Sequence, residues 1–122
     1  MKGIAAALAA TALASGSVKA TLSAPTHTPK INTRWYYVLR VTDGGRPAAA
    51  RITAQIVDPI GGAHAVQLGA TKKNITNYPI RGTFRDYVIW PSDSREIRLT
   101  LRIAVRTGGT KKIVTYSVVA HS

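Results

Sequence analysis

Three arginines recur at a spacing of four residues in the last third of the chain, and the chemistry available to them is anion binding. Arg98, Arg102 and Arg106 alternate with aliphatic residues over residues 97–106. Side chains of a β-strand alternate between its faces, so the three guanidinium groups are predicted to project from one face, about 13 Å apart. A phosphate-bearing polymer can contact such a row at several points. The arginines predicted to enlarge this polyanion-binding row are Arg40 and Arg51.

An ordinary solvated sheet face is the alternative interpretation of the same pattern. Alanine, valine, arginine and glycine are abundant, whereas lysine is comparatively sparse. This bias is typical of a genome rich in G and C, so mutation accounts for part of the arginine excess. Both interpretations of the row stay open at this point.

Residue patterns for catalysis or metal binding are not found in the sequence. The three histidines have no metal-ligand spacing, and no G-x-S-x-G segment supplies a nucleophile. The absence of cysteine excludes disulfides, thiolate metal sites and a cysteine nucleophile. We therefore expect a protein that is not an enzyme and needs no cofactor or metal.

The acidic residues are few, and most are predicted to serve structural roles. Asp86 lies between Arg85 and Tyr87 in an apolar segment, where an uncompensated charge is costly. It is predicted to take part in an ion pair or a backbone hydrogen bond that fixes a loop, with ligand contact as the alternative. The acids in turn contexts, which are predicted to cap those turns, are Asp43, Asp58 and Asp93.

The N-terminus has the order of a secretory signal. Met1 and Lys2 precede a small and apolar run over residues 3–14, which is shorter than the roughly 20 residues of a membrane-spanning helix. Small residues at Val18 and Ala20 favour cleavage after Ala20, so residues 1–20 are predicted to form a signal peptide. We expect a secreted or cell-envelope protein. Retention of the segment as an anchor is the alternative.

The remainder is long enough for one domain and is strongly basic. Without Lys2 and Lys19, the formal charge of +12 becomes +10. About a hundred residues support a single hydrophobic core but not two. A protein of this charge repels its own copies and attracts polyanions. Nucleic acid is not an expected partner, because the protein is predicted to be exported and Tyr36 alone makes no stacking platform.

Hydrophobic alternation predicts an all-β domain over residues 34–122, preceded by a flexible lead-in over residues 21–33. Residues 83–90 fit a helical face as well as a strand, and the surrounding strands favour the latter. The period of two also places Leu101 and Ile103 in the core and Arg98 and Arg102 in solvent. An antiparallel β-sandwich of about seven strands is expected, with an open barrel as the alternative. The predicted strands cover residues 35–41, 50–57, 64–68, 83–90, 97–106 and 112–120, with a weak edge strand in 72–80 and a glycine hairpin turn at 108–109.

Two stretches carry a resemblance to known proteins. Residues 41–53, with Gly45, Pro47 and Ala50 in order, resemble the strand, turn and strand of bacterial Ig-like and carboxypeptidase-regulatory-like domains. Residues 82–91, followed by the hairpin at 108–109, resemble small secreted Ig-like proteins of unknown role from high-GC bacteria. The resemblance implies an immunoglobulin-like sandwich and no particular catalytic or binding residue.

These observations favour a non-catalytic interaction or structural module of the cell envelope or exterior. Its expected partner is another protein or an anionic envelope polymer. The alternative is a small periplasmic or extracellular protein that binds a ligand between its sheets or at its loops.

Overall fold

Nine strands form two antiparallel sheets in residues 17–122, the part of the chain that the computed structural model describes. The prediction of an all-β sandwich is therefore confirmed. A short 3-10 turn covers Ser92–Ser94. In chain order, the strands are β1 (Val18–Ser23), β2 (Arg34–Asp43), β3 (Arg46–Pro47), β4 (Ala49–Val57), β5 (Ala63–Ala65), β6 (Tyr78–Arg81), β7 (Thr83–Ile89), β8 (Arg98–Thr107) and β9 (Thr110–Val119).

The first sheet is built around β2, and the second around β4 and β8. β1 pairs with one side of β2, while β7 and the two-residue β3 pair with its other side. In the second sheet, β9 pairs with β8 and β8 pairs with β4. The short strands β5 and β6 share the remaining edge of β4.

The core lies between the two sheets and follows the alternation of the strands. Tyr37 and Leu39 of β2 are fully buried, and so are Ile52 of β4 and Leu101 and Ile103 of β8. The predicted core positions of β8 are thereby confirmed. Each such side chain contributes roughly 1.5–3 kcal/mol through removal of its apolar surface from water.

The β8–β9 hairpin is the longest paired element of the second sheet. Its register joins Thr107 to Thr110, so Gly108 and Gly109 form the two-residue turn that the sequence predicts. Gly108 has φ 58°, in the left-handed region where glycine is unstrained. A positive φ at the first central position is typical of a hairpin turn whose twist matches that of the flanking strands.

The end of the predicted signal peptide and the start of the predicted lead-in together form strand β1. Val18, Ala20 and Leu22 alternate with polar residues, and the segment pairs with β2 along its whole length. Val18 is only 6% exposed. The expected flexible lead-in over residues 21–33 thus begins inside an ordered strand. Residues 1–16, which carry most of the predicted signal peptide, lie outside the described residues.

The rest of the predicted lead-in is also packed against the sandwich. Pro29 is fully buried, its carbonyl accepts the His121 amide at 2.9 Å, and the Ile31 amide donates to the His121 carbonyl at 2.8 Å. The Trp35 indole donates to the Thr26 carbonyl at 2.9 Å. Backbone partners at the end of the chain therefore order this proline-containing segment. The prediction of flexibility over residues 21–33 is wrong.

Between β4 and β7 the chain contributes little regular structure, as the weak sequence pattern predicts. β6 contains Pro79 and lies at the sheet edge. Val66 and Ile75 are buried and attach this region to the core. Across residues 17–122, no helix is long and apolar enough to span a membrane.

Candidate functional site

The arginine row lies on the outer face of the second sheet. Leu101 and Ile103 of β8 point into the core, so Arg98, Arg102 and Arg106 project to the opposite side. Arg98 and Arg106 are exposed. The structure thus brings the three predicted residues onto one face.

Arg102 is less exposed than its position in the row predicts. Its guanidinium donates to the Gln55 side-chain carbonyl at 2.7 Å, and the two residues are directly opposite in the β4–β8 register. This contact makes Arg102 half-buried. The hydrogen bond fixes the direction of the side chain and uses part of its donor capacity.

Three cations meet side by side at the hairpin end of the sheet. Arg106 of β8 is opposite Arg51 of β4 on one side and Lys111 of β9 on the other. Directly opposite residues on a sheet have Cβ atoms roughly 4.5–5.5 Å apart, and like charges in this relation are destabilising. We refer to Arg51, Arg106 and Lys111 as the basic cluster.

A loop residue fixes one member of the basic cluster. The Arg51 guanidinium donates to the Asn77 carbonyl at 2.9 Å, and the Asn77 amide donates to the Thr53 hydroxyl at 3.0 Å. Asn77 has φ 49°, a left-handed conformation that asparagine tolerates better than most residues. These contacts hold the Arg51 guanidinium against the loop that leads into β6.

Two hollows flank the paired arginines. One of about 170 Å³ is lined by the basic cluster together with Thr53, Asn77 and Ala104. Ala104 lies between Thr53 and Ile113 in the register, and its small side chain leaves room at this point. A second hollow of about 390 Å³ lies on the other side of Arg51 and Arg106, against Pro79 and Gly108.

Carboxylates are absent from the strands that carry these cations. β4, β8 and β9 contain no aspartate or glutamate. Over residues 17–122, the one side-chain contact within 4.0 Å between a basic and an acidic residue joins His64 to Asp58. The cations of this face are therefore not neutralised by carboxylates of the described chain.

Arg40 does not join the row. It is exposed on β2, which belongs to the first sheet, and therefore lies on the opposite outer face of the sandwich. Arg51, in contrast, lies beside the row as predicted. The alternation of β2 correctly indicates that Arg40 faces solvent, but it carries no information about which sheet β2 joins.

Sequence reasoning missed Lys111. The predicted strand starts at residue 112, whereas β9 starts at Thr110. A two-residue turn at 108–109 pairs Thr107 with Thr110, so counting one residue outward from each places Arg106 opposite Lys111. The two-glycine turn is therefore the sequence feature from which the pairing of Arg106 with Lys111 could have been predicted. The positions of Asn77 and Thr53 carried no comparable signal, because they depend on the path of an irregular loop.

Asp86 lies on β7 of the first sheet and holds the loop at Gly69. Its carboxylate accepts the Gly69 amide at 3.1 and 3.2 Å and the Tyr37 hydroxyl at 3.4 Å. Tyr87 donates its hydroxyl to the Gly69 carbonyl at 2.9 Å. Burial, with a smaller contribution from Asp86, raises the pKa of Tyr37 well above its ordinary value. The prediction of a backbone hydrogen bond that fixes loop geometry is confirmed.

Asp58 caps its turn as predicted, whereas Asp43 has a different partner. Asp58 accepts the amides of Ile60 and Gly62 at 3.0 and 2.8 Å, and His64 lies at 2.9 Å. The hydrogen bond from His64, followed by that from Gly62, lowers the pKa of Asp58. Asp43 accepts the Ser17 hydroxyl instead.

Asp93 lies within the 3-10 turn Ser92–Ser94, which has no side-chain cap hydrogen bond.

No group of three or more histidine, cysteine, aspartate or glutamate residues that could hold a metal ion occurs in the described part of the chain. His27 is stacked on Tyr116 with ring centroids 4.0 Å apart, and its Nδ1 lies 2.6 Å from the Ser117 carbonyl. These contacts give His27 a packing role.

A further hollow, with both apolar and polar residues in its lining, lies beside the C-terminal ends of β4 and β7. It has a volume of about 260 Å³ and is lined by Ile56, Leu68, Tyr87 and Val88, among others. Small-molecule sites usually measure about 300–1,000 Å³ and contain a few convergent polar groups. The Tyr87 hydroxyl, however, is already bonded to Gly69.

The chain has no significant match among known protein-family models, curated proteins or solved structures. The candidate site therefore rests on the chemistry and geometry of its own residues.

Proposed function

We propose that this protein is a non-catalytic module of the cell exterior or envelope that attaches to an anionic polymer. Attachment takes place through the outer face of β4, β8 and β9, which we call the basic face. The observation that carries the proposal is the concentration of cations on strands that lack carboxylates. The residues of the basic face that supply positive charge are Arg51, Arg98, Arg102, Arg106 and Lys111.

The arrangement of these cations costs stability in the isolated protein. Arg106 has a cation directly opposite it on both neighbouring strands. Like charges in directly opposed positions are destabilising, and the formal net charge of +12 adds to the repulsion. A bound polyanion relieves both effects. Charge complementarity therefore favours an anionic partner over a neutral or cationic one.

The basic face can contact the phosphates of a polymer, but it has no aromatic side chains on which nucleic-acid bases could stack. β4 and β8 contain no aromatic residue, and Tyr116 of β9 is directed toward Trp35 of the core, with ring centroids 5.7 Å apart. Proteins that hold single-stranded nucleic acid stack its bases on aromatic side chains. The face is thus better suited to a polymer recognised by its charges alone. The sequence signal for export favours an envelope polymer over nucleic acid.

The resemblance of residues 41–53 to bacterial Ig-like domains supports an interaction module, since such sandwiches present surfaces on a rigid frame.

A small-ligand carrier is the second candidate, favoured by the hollow of about 260 Å³ beside Tyr87. A carrier binds an uncharged ligand in the hollow with little dependence on salt. A polyanion binder instead loses affinity steeply as salt rises.

The experiment that tests the proposal compares two variants of equal net charge. The first replaces Arg98, Arg102 and Arg106 of the basic face by glutamine. The control replaces Arg40, Arg46 and Arg85, which are all exposed on the first sheet. Affinity for a poly(glycerol phosphate) chain is measured by calorimetry at low salt.

The first variant is expected to lose about tenfold or more in affinity, because each lost phosphate contact removes a charge-assisted interaction. The control is expected to lose much less. Equal losses in the two variants would show that net charge alone matters. Absence of binding by the wild-type protein would refute the proposed function.

A further inference from the structure

We propose that the basic cluster is a binding site, here called the seat, for one phosphate group. Its ligand class is the phosphodiester unit of a base-free anionic polymer such as a polyol phosphate. This inference rests on the proposed function and names the part of the basic face that recognises the ligand. Arg51, Arg106 and Lys111 supply the positive charge, and the hollow of about 170 Å³ supplies the space.

The cluster places three positive charges beside one hollow of about 170 Å³, which has space for a single phosphate group. The three cations lie directly opposite one another on three adjacent strands, in a row of roughly 10 Å across the sheet, and all three line the same hollow. Arginine donates to phosphate oxygens in pairs, and lysine adds a point charge. A phosphate group has enough oxygens to accept from all three side chains.

Arg51 is oriented before any ligand arrives. Its Nη1 donates to the Asn77 carbonyl, and Asn77 is itself held by the Thr53 hydroxyl. A guanidinium has five donors, so this one hydrogen bond leaves others available to an anion. Prior orientation reduces the entropy that is lost when a flexible side chain is immobilised on binding.

The hollow depends on a small side chain at the centre of the sheet. Ala104 is directly opposite Thr53 on one side and Ile113 on the other, and it separates Arg102 from Arg106 on β8. A larger apolar residue at this position fills the space without changing any charge. Charge and shape can therefore be tested separately.

The neighbouring arginines suggest how a polymer continues from the seat. Arg102 lies four residues from Arg106 on the same face, about 13 Å away on a strand. Its hydrogen bond to Gln55 directs it across the sheet. A flexible polyol phosphate can place one phosphate in the seat and a later one at Arg102. Nucleic acid adds bases for which the face has no stacking partner.

The test is a titration followed by amide NMR shifts, with inorganic phosphate and poly(glycerol phosphate) as separate probes. Three variants are compared with the wild type. The first carries R51Q, R106Q and K111Q, and the second carries A104I. The charge-matched control carries R40Q, R46Q and R85Q on the first sheet.

In the wild type, inorganic phosphate is expected to shift the amides of Asn77, Ala104 and Lys111. The cluster variant and A104I should each weaken phosphate binding by about tenfold, the equivalent of one or two lost charge-assisted contacts. The control should bind as the wild type does. Comparison of the amide spectra away from the cluster shows that A104I keeps its fold. If A104I disturbs those amides, A104V replaces it as the shape variant.

The outcomes separate the inference from the proposed function. If the polymer binds but phosphate shifts no amide at the cluster, the seat is refuted while the basic face stands. If phosphate binds at the cluster and the polymer does not bind, the polymer function fails and the seat remains. If A104I binds phosphate as tightly as the wild type, the hollow has no part in recognition and the inference is wrong. Binding of single-stranded DNA more tightly than the polyol phosphate overturns the assigned ligand class.

Discussion

Arg51 and Arg106 lie directly opposite each other on the paired strands β4 and β8. Lys111 continues the same line onto β9, and none of these strands contains a carboxylate. A sheet optimised only for stability places opposite charges in such positions. The repulsion on this face is the physical reason for assigning it an anionic partner.

Removing one charge from the centre of the basic cluster is expected to stabilise the protein. R106Q should raise the free energy of unfolding by about 0.5 kcal/mol at low salt, because it relieves repulsion from both neighbouring strands. The gain should shrink as salt screens the charges. Urea denaturation at two salt concentrations measures it. R98Q is the control, since Arg98 is opposite Val119; an equal gain there would contradict a specific like-charge interaction.

The two faces of β8 should respond differently to truncation. Leu101 is fully buried, so L101A should cost roughly 2–5 kcal/mol through lost burial and a cavity. Arg98 is exposed, and R98A should cost under about 1 kcal/mol. Chemical denaturation of both variants provides the comparison. Similar losses would be incompatible with the alternation of this strand.

The N-terminal strand should contribute to stability. A chain that starts at Thr21 lacks the pairings of Val18, Lys19 and Ala20 with β2 and the burial of Val18. It should be about 1.5–3 kcal/mol less stable than a chain that starts at Ser17. Thermal unfolding of the two chains decides this. If export includes cleavage after Ala20, as the sequence predicts, the mature protein is the less stable of these forms; N-terminal sequencing of the exported protein identifies the cut.

The turn that follows β4 should loosen in acid. Hydrogen bonds from His64 and Gly62 lower the pKa of Asp58 below its ordinary 3.8. The carboxylate therefore stabilises the turn above that value, and the contribution is lost as the pH falls through the lower, folded-state pKa. NMR shifts of the Ile60 and Gly62 amides should report the transition. D58N should abolish it, and an unchanged transition in that variant would assign it to another group.

The strands could be predicted from sequence because their alternation is strong. The alternation over residues 97–106 predicts which side chains of β8 face the core and which face solvent, and Gly108 and Gly109 predict the hairpin that follows. β1 was missed, although Val18, Ala20 and Leu22 alternate with polar residues. Small residues before a cleavage point and small residues on a strand satisfy the same pattern, and the sequence does not distinguish them.

The candidate site was only partly predictable, because it depends on which strands become neighbours. Arg98, Arg102 and Arg106 share a strand, so their common face follows from the period of two. Arg40 and Arg51 lie on different strands, and only the pairing of β4 with β8 brings Arg51 to the row. The contact between Arg51 and Asn77 depends on a loop with no repeating pattern.

The salt dependence of polymer affinity distinguishes contact with the basic cluster from attraction by net charge alone. Counterion release gives a straight line of log affinity against log salt, whose slope is about −0.7 per neutralised phosphate for a flexible single chain. If the basic cluster binds one polymer phosphate, the slope for poly(glycerol phosphate) should become shallower by about 0.7 in the R51Q, R106Q and K111Q variant. The charge-matched variant of the first sheet should keep the wild-type slope. Identical slopes in the wild type and the cluster variant would contradict the assignment of the basic cluster as a contact for polymer phosphate.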